Sequence, residues 1–307
     1  MRYFIAFIIG YFSVGLLCAQ ETYERTSYTK QLTLRHDNDF FLLTDRYYSS
    51  GLFLSYATTL KKGIFGGDEQ FIVRLGQEVY TPSQTQSTSS ALFDRPYAGF
   101  TGARGTWSTA NEHHLFSMGL LLGIAGNNSG AGGFQRWYHR AVAISDSPLW
   151  IDEINNSFHA NLYASHVSQW EIAPNPFGVR LLLVPKVALG TRDIFGEAES
   201  ILQFGRRSPL RSSIAFNRLG NNDREIFFAF RFGYQRVFYN GLIEGNLFGD
   251  SSTILRTPKN DLLLLGFDFN HRFNQHNYKV GFRYNSAEAL NTDTHMYVQL
   301  SYGFSFN

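Results

Sequence analysis

The sequence predicts an all-β fold: a transmembrane antiparallel β-barrel with a short helix in one extracellular loop. Apolar and polar residues alternate along segments of about ten residues, Phe (29) and Tyr (17) are abundant, and only 17% of the residues are charged. Alternating segments of this length with one apolar face are typical of transmembrane barrels. Because every backbone polar group in lipid must be hydrogen-bonded, a sheet that crosses the bilayer has to close on itself.

Four segments show the alternation most clearly. Their apolar faces comprise Phe228, Phe230, Phe232 and Tyr234; Leu265, Phe267 and Phe269; Tyr278, Val280, Phe282 and Tyr284; and Val298, Leu300, Tyr302, Phe304 and Phe306. A soluble β-sandwich alternates too, but its polar face would carry Lys and Glu where this one carries Gly, Ser, Gln and scattered Arg. We count ten to twelve segments, and closure with short turns on one side favours an even number, which predicts twelve strands.

The N-terminus predicts export. Residues 1–20, MRYFIAFIIGYFSVGLLCAQ, have a basic start, an apolar run from Tyr3 to Leu17 and a small residue, Ala19, near the end. This is the pattern of a secretory signal peptide. We therefore predict a signal peptide at 1–19 and a single barrel domain at 20–307 in the bacterial outer membrane. The only cysteine, Cys18, lies in the predicted signal, which excludes disulfides and cysteine metal sites from the mature chain.

Charge and hydropathy exclude two other classes of protein. The formal net charge is +2 over 307 residues, which gives no indication of a nucleic-acid partner. The mean hydropathy is negative, which disfavours a bundle of membrane helices. Since no internal repeat or linker is present, we expect one domain that acts as a monomer in contact with outer-membrane lipid.

Residues 126–150 interrupt the alternation. A Gly-rich start leads into FQRWYHRAVAIS, which fits a short helix with Phe134, Tyr138 and Ala141 on one face, and Pro148 ends it. Long connections that contain a helix usually carry function. His139 lies within this helix, and a histidine can act as a general base near neutral pH; the alternative is a surface or packing residue.

A polar cluster follows the first predicted strand. In a hairpin formed by HDNDF and TDRYYSSG, Asn38 and Asp39 lie near Ser49 across the strand pair. Their carboxylate, amide and hydroxyl oxygens suit a hard cation such as Ca²⁺, although Asp and Asn are also common in plain turns. Strict alternation from Leu32 and Leu34 sends Asn38 to the lipid face and Asp39 to the lumen, so both contact one ion only if the strand bends or bulges.

A third motif, DRPYAG at 94–99, precedes another strand and by itself is a tight turn with an Asp–Arg pair. The familiar serine-hydrolase and zinc signatures G-x-S-x-G, H-E-x-x-H and C-x-x-C are missing from the sequence. A hydrolase built on this chain would therefore need another way to generate its nucleophile.

Taken together, these motifs resemble the outer-membrane lipid A 3′-O-deacylase (LpxR-like) family. The order of the motifs carries the resemblance: Asn38-Asp39-Phe40, Thr44 to Gly51, Tyr80-Thr81-Pro82, Asp94 to Gly99, Gln135 and His139, then Pro148 and Trp150. They cover the first half of the mature chain, and the remainder is similar only as barrel strands.

The resemblance implies a twelve-stranded barrel with a site between its outer wall and a helix from an extracellular loop. It implies a Ca²⁺-dependent lipid A 3′-O-deacylase, with lipopolysaccharide as substrate. His139 would activate a water, and Ca²⁺ near Asn38, Asp39 and Ser49 would polarise the ester carbonyl. We assign Arg95, Gln135 and Arg46 to substrate binding, and we expect Tyr47 and Tyr48 to mark the membrane boundary.

Two positions depart from the family pattern. The family has a glutamate calcium ligand shortly after the histidine, where this chain has Ser145; the adjacent Asp146 is the candidate replacement and joins Asp39 and Ser49 in the predicted metal set. The family also has a basic residue between the Y-[ST]-P and D-R segments. Here that segment, SQTQSTSSALF, has none, which leaves Arg95 as the nearest candidate to contact a lipid A phosphate.

Two alternative functions stay open at this point. An outer-membrane phospholipase would pair His139 with a nucleophilic serine, for which Ser49 and Ser50 are the nearby candidates. A non-enzymatic barrel, serving as a channel or an adhesin, would make all three motifs ordinary loop residues.

Overall fold

The computed structural model describes residues 27–39, 46–142, 146–221 and 223–307. The predicted signal peptide and Ser145 lie outside these ranges. The strands are β1 (Ser27–Tyr28), β2 (Lys30–Asn38), β3 (Tyr47–Thr59), β4 (Asp68–Thr81), β5 (Ala98–Ala110), β6 (His114–Ala125), β7 (Ser157–Ala173), β8 (Val179–Gly190), β9 (Asp193–Arg206), β10 (Gly220–Asn221), β11 (Glu225–Asn240), β12 (Asp261–Phe273), β13 (His276–Asn285) and β14 (His295–Phe306). The helices are α1 (Ala131–Val142) and α2 (Gly241–Glu244), with short 3₁₀ turns at Ser90–Leu92, Asn127–Ser129, Leu210–Ser212 and Ile214–Phe216.

Twelve of the strands form one closed antiparallel barrel, as the alternation predicts. Consecutive strands pair around the wall, and β14 closes the barrel on β2 through pairs that run from Val298 with Asn38 to Phe306 with Lys30. Strands β1 and β10 pair only with each other. Within the described residues, no helix is both long and apolar enough to cross a membrane.

The two faces of the wall are those that the sequence predicts. On β11 the outward residues Phe228, Phe230 and Phe232 are 44%, 53% and 58% exposed, whereas the inward Ala229 is 1% exposed. A wall whose large apolar side chains point outward is suited to contact with lipid, and its polar side chains point into the lumen.

Ion pairs connect inward side chains of neighbouring strands. Arg231 of β11 bridges Glu199 of β9 (3.0 Å) and Asp268 of β12 (2.5 Å). Lys186 of β8 binds the same Glu199 at 2.9 Å and its neighbour Glu197 at 2.7 Å. Because each of these charges has an opposite partner, the pairing offsets part of the desolvation cost of placing them inside the barrel.

One end of the barrel, where β2 begins and β14 finishes (the terminal end), is filled by the loop between β9 and β11. Leu210 of this loop is fully buried in a cluster with Leu115, Val167 and Leu182. Glu225 fixes the loop: its carboxylate accepts hydrogen bonds from Ser213 Oγ (2.6 Å) and from the backbone N–H of Ile214 (3.1 Å) and Ser208 (3.2 Å), and it pairs with Arg272.

The opposite end, which carries the long connections (the loop end), is covered as well. Phe93, Tyr97 and Ile254 form a buried cluster that joins the connection before β5 to the one after α2. Arg256 donates a hydrogen bond from Nε to the carbonyl of Phe93 at 3.1 Å. Loops therefore cover the lumen at both ends.

Candidate active site

The first part of the site is the end of β2. The strand pairs with β3 up to Asn38, which lies opposite Ser50, and the chain bends at the next residue, Asp39. The backbone N–H of Asp39 donates to the Ser49 carbonyl at 3.3 Å, and Asp39 Oδ2 accepts from the backbone N–H of Arg46 at 2.9 Å. Both Asn38 and Asp39 are buried, 6% and 1% exposed. Because the strand ends before Asp39, strict alternation does not decide where its side chain points.

A β-bulge places Ser49. Tyr48 pairs with Tyr80 of β4 but Ser50 pairs with Val79, so Ser49 is the extra residue in β3. Such an inserted residue changes the direction of the side chains around it. The end of β2 thus bends at Asp39, and the facing strand β3 carries a bulge at Ser49.

Tyr48 and Ser49 face opposite sides of the wall. Tyr48 turns inward, where its hydroxyl donates to Asp37 Oδ2 at 2.9 Å. The Tyr48 hydroxyl fits here because residue 51 is a glycine: a Cβ on Gly51 would lie 2.1 Å from that hydroxyl. Tyr47 donates to Asp94 Oδ2 at 2.9 Å and is also buried. The expectation that Tyr47 and Tyr48 mark the membrane boundary is therefore wrong: both rings are held by carboxylates instead of facing lipid.

Helix α1 lies on the outer face of β4 and β5. Gln77 of β4 and Thr101 of β5 donate to the carbonyl of Ser129, directly before the helix, at 3.0 and 2.7 Å. Gly99 permits the close approach, because a Cβ at that position would lie 2.2 Å from Ser129 Oγ and 2.5 Å from the Cβ of Ala131. This is the structural reason for the glycine that ends DRPYAG.

The polar face of α1 is buried. Ala131, Gln135 and His139, spaced four residues apart on one side, are 0%, 2% and 7% exposed. The sequence predicts the helix correctly, but Phe134 and Tyr138 are only half-buried and Ala141 is exposed. A helix on a membrane-facing wall reverses the usual amphipathic pattern, since its outer side meets apolar surroundings.

Gln135 connects the helix to the bulge. Its Nε2 donates to Ser49 Oγ at 3.2 Å, and its Oε1 accepts from Trp150 Nε1 at 2.7 Å. Trp150 stacks on Tyr97 with ring centroids 5.1 Å apart, and Tyr97 donates to the Thr85 carbonyl at 2.9 Å. Gln135, predicted as a substrate-binding residue, thus lies where it orients Ser49. The role of Trp150 was not predicted from the sequence, where its place in the order of motifs was the only indication that it belongs to the site.

His139 lies one turn beyond Gln135 on the same face, about 6 Å further along the helix axis. The neighbouring Tyr138 packs its ring edge-on against His36 of β2, with centroids 6.0 Å apart. His36 lies on the outer face of the wall two residues before Asn38. The structure therefore brings α1, the end of β2 and the bulge of β3 together on one side of the barrel.

Arg95 lies away from this outer surface. Its side chain is 2% exposed, its guanidinium lies over the Tyr80 ring at 4.5 Å, and Nη1 is 3.6 Å from Glu288 Oε2. Burial lowers the pKa of Arg95, although the Glu288 carboxylate opposes the change. Glu288 follows β13 and is far from Arg95 in the sequence. The sequence around Arg95, which led to the prediction of a lipid phosphate contact, therefore gives no indication of this ion pair. At this position Arg95 supports the loop end.

Arg46 and Asp146 lie at the edge of the site. Arg46 Nη1 pairs with Asp293 Oδ2 at 3.1 Å, in the connection before β14. Asp146 is exposed, and its backbone carbonyl accepts from Gln86 Nε2 at 3.3 Å.

Within the ranges that the structure describes, no three His, Cys, Asp or Glu side chains converge as a metal site. Oxygen ligands around Asp39 would have to include amide and hydroxyl groups, as Asn38 and Ser49 offer.

Comparison with known proteins identifies the family. The family model described as "Outer membrane protein LpxR" matches residues 4–306. The fold is similar to that of LpxR from Salmonella typhimurium, with a TM-score of 0.78 and 16% identity over 90% of this chain and 100% of that chain. The β domain of the Bordetella autotransporter BrkA gives a TM-score of 0.46 and 12% identity over 92% of this chain and 100% of that one. No curated protein sequence matches. The chain belongs to the LpxR family of outer-membrane proteins.

Proposed function

We propose that the protein is an outer-membrane esterase that removes the 3′-O-linked acyloxyacyl group from lipid A. Membership of the LpxR family supports the substrate class. The observation that carries the proposal is the hydrogen bond from Gln135 to Ser49, because it joins the helix that bears His139 to the oxygen-rich strand ends of the outer wall. A site on the outer wall would let an acylated lipid approach from within the bilayer.

In the proposed reaction His139 is the general base. It takes a proton from a water molecule while the water oxygen bonds to the ester carbonyl carbon. The bond between that carbon and the 3′ oxygen of the sugar then breaks, and the protonated imidazole returns its proton to the leaving oxygen. The products are lipid A with a free 3′ hydroxyl and an acyloxyacyl carboxylic acid, in which the secondary acyl chain stays attached. No serine nucleophile is required, which agrees with the missing G-x-S-x-G sequence.

Calcium is the proposed cofactor. The side-chain oxygens of Asn38, Asp39 and Ser49 are the hard ligands that Ca²⁺ prefers, and Asp146 is the proposed additional carboxylate. A serine hydroxyl has two lone pairs, so Ser49 could accept from Gln135 and still offer an oxygen to a cation. Bound Ca²⁺ would polarise the ester carbonyl and stabilise the negative charge that develops on its oxygen.

The burial of Arg95 requires other cations for the lipid A phosphates. Arg136 and Arg140 are exposed on α1, one turn apart and on the side away from the barrel wall. Within the described residues neither has a hydrogen bond or ion pair to another side chain. Trp137, 56% exposed, lies between them. We propose Arg136 and Arg140 as the phosphate contacts, with Arg46 at the opposite edge. We further propose that the enzyme acts as a monomer.

The alternatives receive less support. A channel would need an open lumen, whereas the two ends of this barrel carry the buried clusters around Leu210 and around Tyr97. For a serine nucleophile, the Gln135 amide that donates to Ser49 Oγ is not a base that could take up the hydroxyl proton.

Mass spectrometry of lipid A from cells that express the protein tests the proposal. The wild type should release 3′-linked acyl groups in calcium, and both His139→Ala and a chelator should abolish the release. His166→Ala is a matched control, since His166 lies on β7 and stacks on His114 at the terminal end. Unchanged lipid A in wild-type cells would refute the esterase, and activity that resists chelation would refute the role of calcium alone. Total loss in Ser49→Ala would favour a serine nucleophile, and partial loss a calcium-ligand role.

A further inference from the structure

A cavity of about 140 Å³ lies in the lumen toward the terminal end. The inner faces of the barrel strands surround it, and Ala215 and Asn217 of the loop before β11 cover it. A single buried water needs only about 15 Å³ of such volume. The cavity is therefore large enough for a polyatomic ligand, and its lining comes from the inner faces of the strands and from this loop, not from the outer wall that carries the proposed active site.

Its lining is strongly cationic. Among the described residues that line the cavity, one is a carboxylate, Asp268, and five are basic: Arg35, Arg74, Arg231, Lys279 and Arg283. Hydroxyl and amide groups from Ser55, Ser301, Asn270 and Gln299 complete the wall. All of these groups can donate hydrogen bonds, so the lining suits an acceptor-rich ligand.

Three of the five cations are compensated within the protein. Arg35 pairs with Asp37 at 3.0 Å. Arg231 and Arg283 share Asp268, at 2.5 and 2.6 Å. These pairs use the carboxylates nearest to the cavity.

Arg74 and Lys279 have only neutral partners. Arg74 Nε donates to Ser55 Oγ at 3.2 Å, and Lys279 Nζ donates to Asn217 Oδ1 at 2.5 Å. Neither has a carboxylate within ion-pair distance in the described part of the chain. Two cations enclosed in a barrel wall and not matched by anions carry a desolvation cost that a bound anion would remove.

We propose that this cavity is a binding site for a phosphate-class oxyanion, held by Arg74 and Lys279. A tetrahedral oxyanion presents several acceptor oxygens, which match a guanidinium fork and an ammonium group better than a halide does. The enclosed position inside the lumen selects a soluble anion over a lipid headgroup. The site is separate from the outer wall and does not depend on the proposed esterase.

Isothermal titration calorimetry on the purified barrel in detergent tests this proposal with sodium phosphate as the probe. We expect saturable binding of one phosphate per chain, and at least a tenfold loss of affinity in Arg74→Gln and in Lys279→Met. Arg211→Gln is the matched control, because Arg211 is exposed in the same loop region and should leave binding unchanged. No saturable heat with the wild type, or wild-type affinity in both Arg74→Gln and Lys279→Met, would overturn the proposal.

Thermal unfolding gives a second readout that does not require the variants to bind. Phosphate should raise the wild-type Tm more than sodium chloride at the same ionic strength, and Lys279→Met should lose this difference. An equal rise with chloride would mean general screening of charge and would refute a site. Glycerol phosphate distinguishes two sources of the ligand: a similar shift indicates that phosphomonoesters also enter, and no shift indicates inorganic phosphate alone.

Discussion

Trp150 donates a hydrogen bond from its indole nitrogen to Gln135 Oε1 at 2.7 Å, and this bond fixes which end of the Gln135 amide faces Ser49. Trp150 has a φ of 57°, a left-handed backbone conformation that is unfavourable for a bulky side chain. Such strain persists only where surrounding contacts hold the residue, here the stack on Tyr97. The strained Trp150 thus positions Gln135, whose side chain connects α1 to Ser49 of β3.

Replacing Trp150 with Phe should lower kcat of the proposed esterase about fivefold. The aromatic stack survives, while the hydrogen bond that orients Gln135, worth about 1 kcal/mol, is lost. Initial rates on purified lipid A, with the Tm of each variant, provide the measurement. Trp137→Phe is the control, since Trp137 is exposed on the other side of α1. An unchanged rate in Trp150→Phe would show that the orientation of Gln135 does not matter.

Gly99→Ala should displace α1 from the wall. The added Cβ would lie 2.5 Å from the Cβ of Ala131, a contact that no side-chain rotation relieves. Overpacking of this kind costs about 1–3 kcal/mol, and a shift of the helix by about 1 Å can cost about 100-fold in rate. We expect activity to fall by about ten- to 100-fold while the barrel remains folded.

Gly133→Ala is the matched control for Gly99→Ala. Gly133 lies on α1 with nothing within 4 Å of an added Cβ. Alanine favours a helix over glycine by about 1 kcal/mol, so this variant should keep its activity and become slightly more stable. Equal losses in both variants would contradict the docking role of Gly99.

The sequence predicts the barrel because alternation is a local pattern, and it selects the residues of the candidate site from the order of their motifs along the chain. The pairing of Asn38 with the strand that bears Ser49 follows from one hairpin, and a helix around His139 follows from a break in the alternation. The buried face of α1 was not predictable in the same way, because the helix lies against a wall whose outside is apolar. Arg95 was misplaced because its partner, Glu288, is nearly two hundred residues away.

Arg136→Gln and Arg140→Gln should each raise KM for lipid A by a few-fold and leave kcat unchanged. Both arginines are exposed on the outer side of α1. Because an exposed charge pair contributes only about 0.2–1 kcal/mol of interaction free energy, the loss of one arginine should weaken substrate binding modestly. Steady-state kinetics on lipid A with and without its phosphates measure the effect, which should disappear with the dephosphorylated substrate. Arg236→Gln, at an exposed pair with Asp261, is the control. A KM that rises equally for both substrates would contradict phosphate recognition.

Glu225→Ala should destabilise the barrel strongly. The change leaves the buried Arg272 without its carboxylate and removes the acceptor for the Ser213 hydroxyl and the Ile214 N–H. Breaking a buried pair by removing one partner costs about 3–5 kcal/mol. Urea-induced unfolding in detergent measures the loss. Glu171→Ala removes a carboxylate that is 44% exposed and pairs with Arg180, so it should cost no more than about 1 kcal/mol. A similar loss in both variants would contradict the role of Glu225.

The last prediction concerns pH and Glu153, which follows Trp150 in the loop outside the barrel wall. Burial raises the pKa of Glu153 from 4.5 to about 7, although the Gly99 N–H, which donates to Glu153 Oε1 at 3.2 Å, and the charge of Arg136 both favour the ionised form. The folded protein therefore holds this proton more tightly than the unfolded chain. The stability that it contributes is fully present below the unfolded pKa and is lost as pH rises through about 7.

Glu153→Gln keeps an oxygen that can accept from Gly99 and removes the titration. We expect the Tm of the wild type to fall relative to that of the variant as pH increases from about 5 to about 8, the interval that this linkage defines. Comparing the two Tm curves cancels the titration of other groups that both proteins share. A difference between the curves that stays constant with pH would contradict the raised pKa. A difference that grows toward low pH would mean that the folded pKa is depressed instead, with Arg136 outweighing burial.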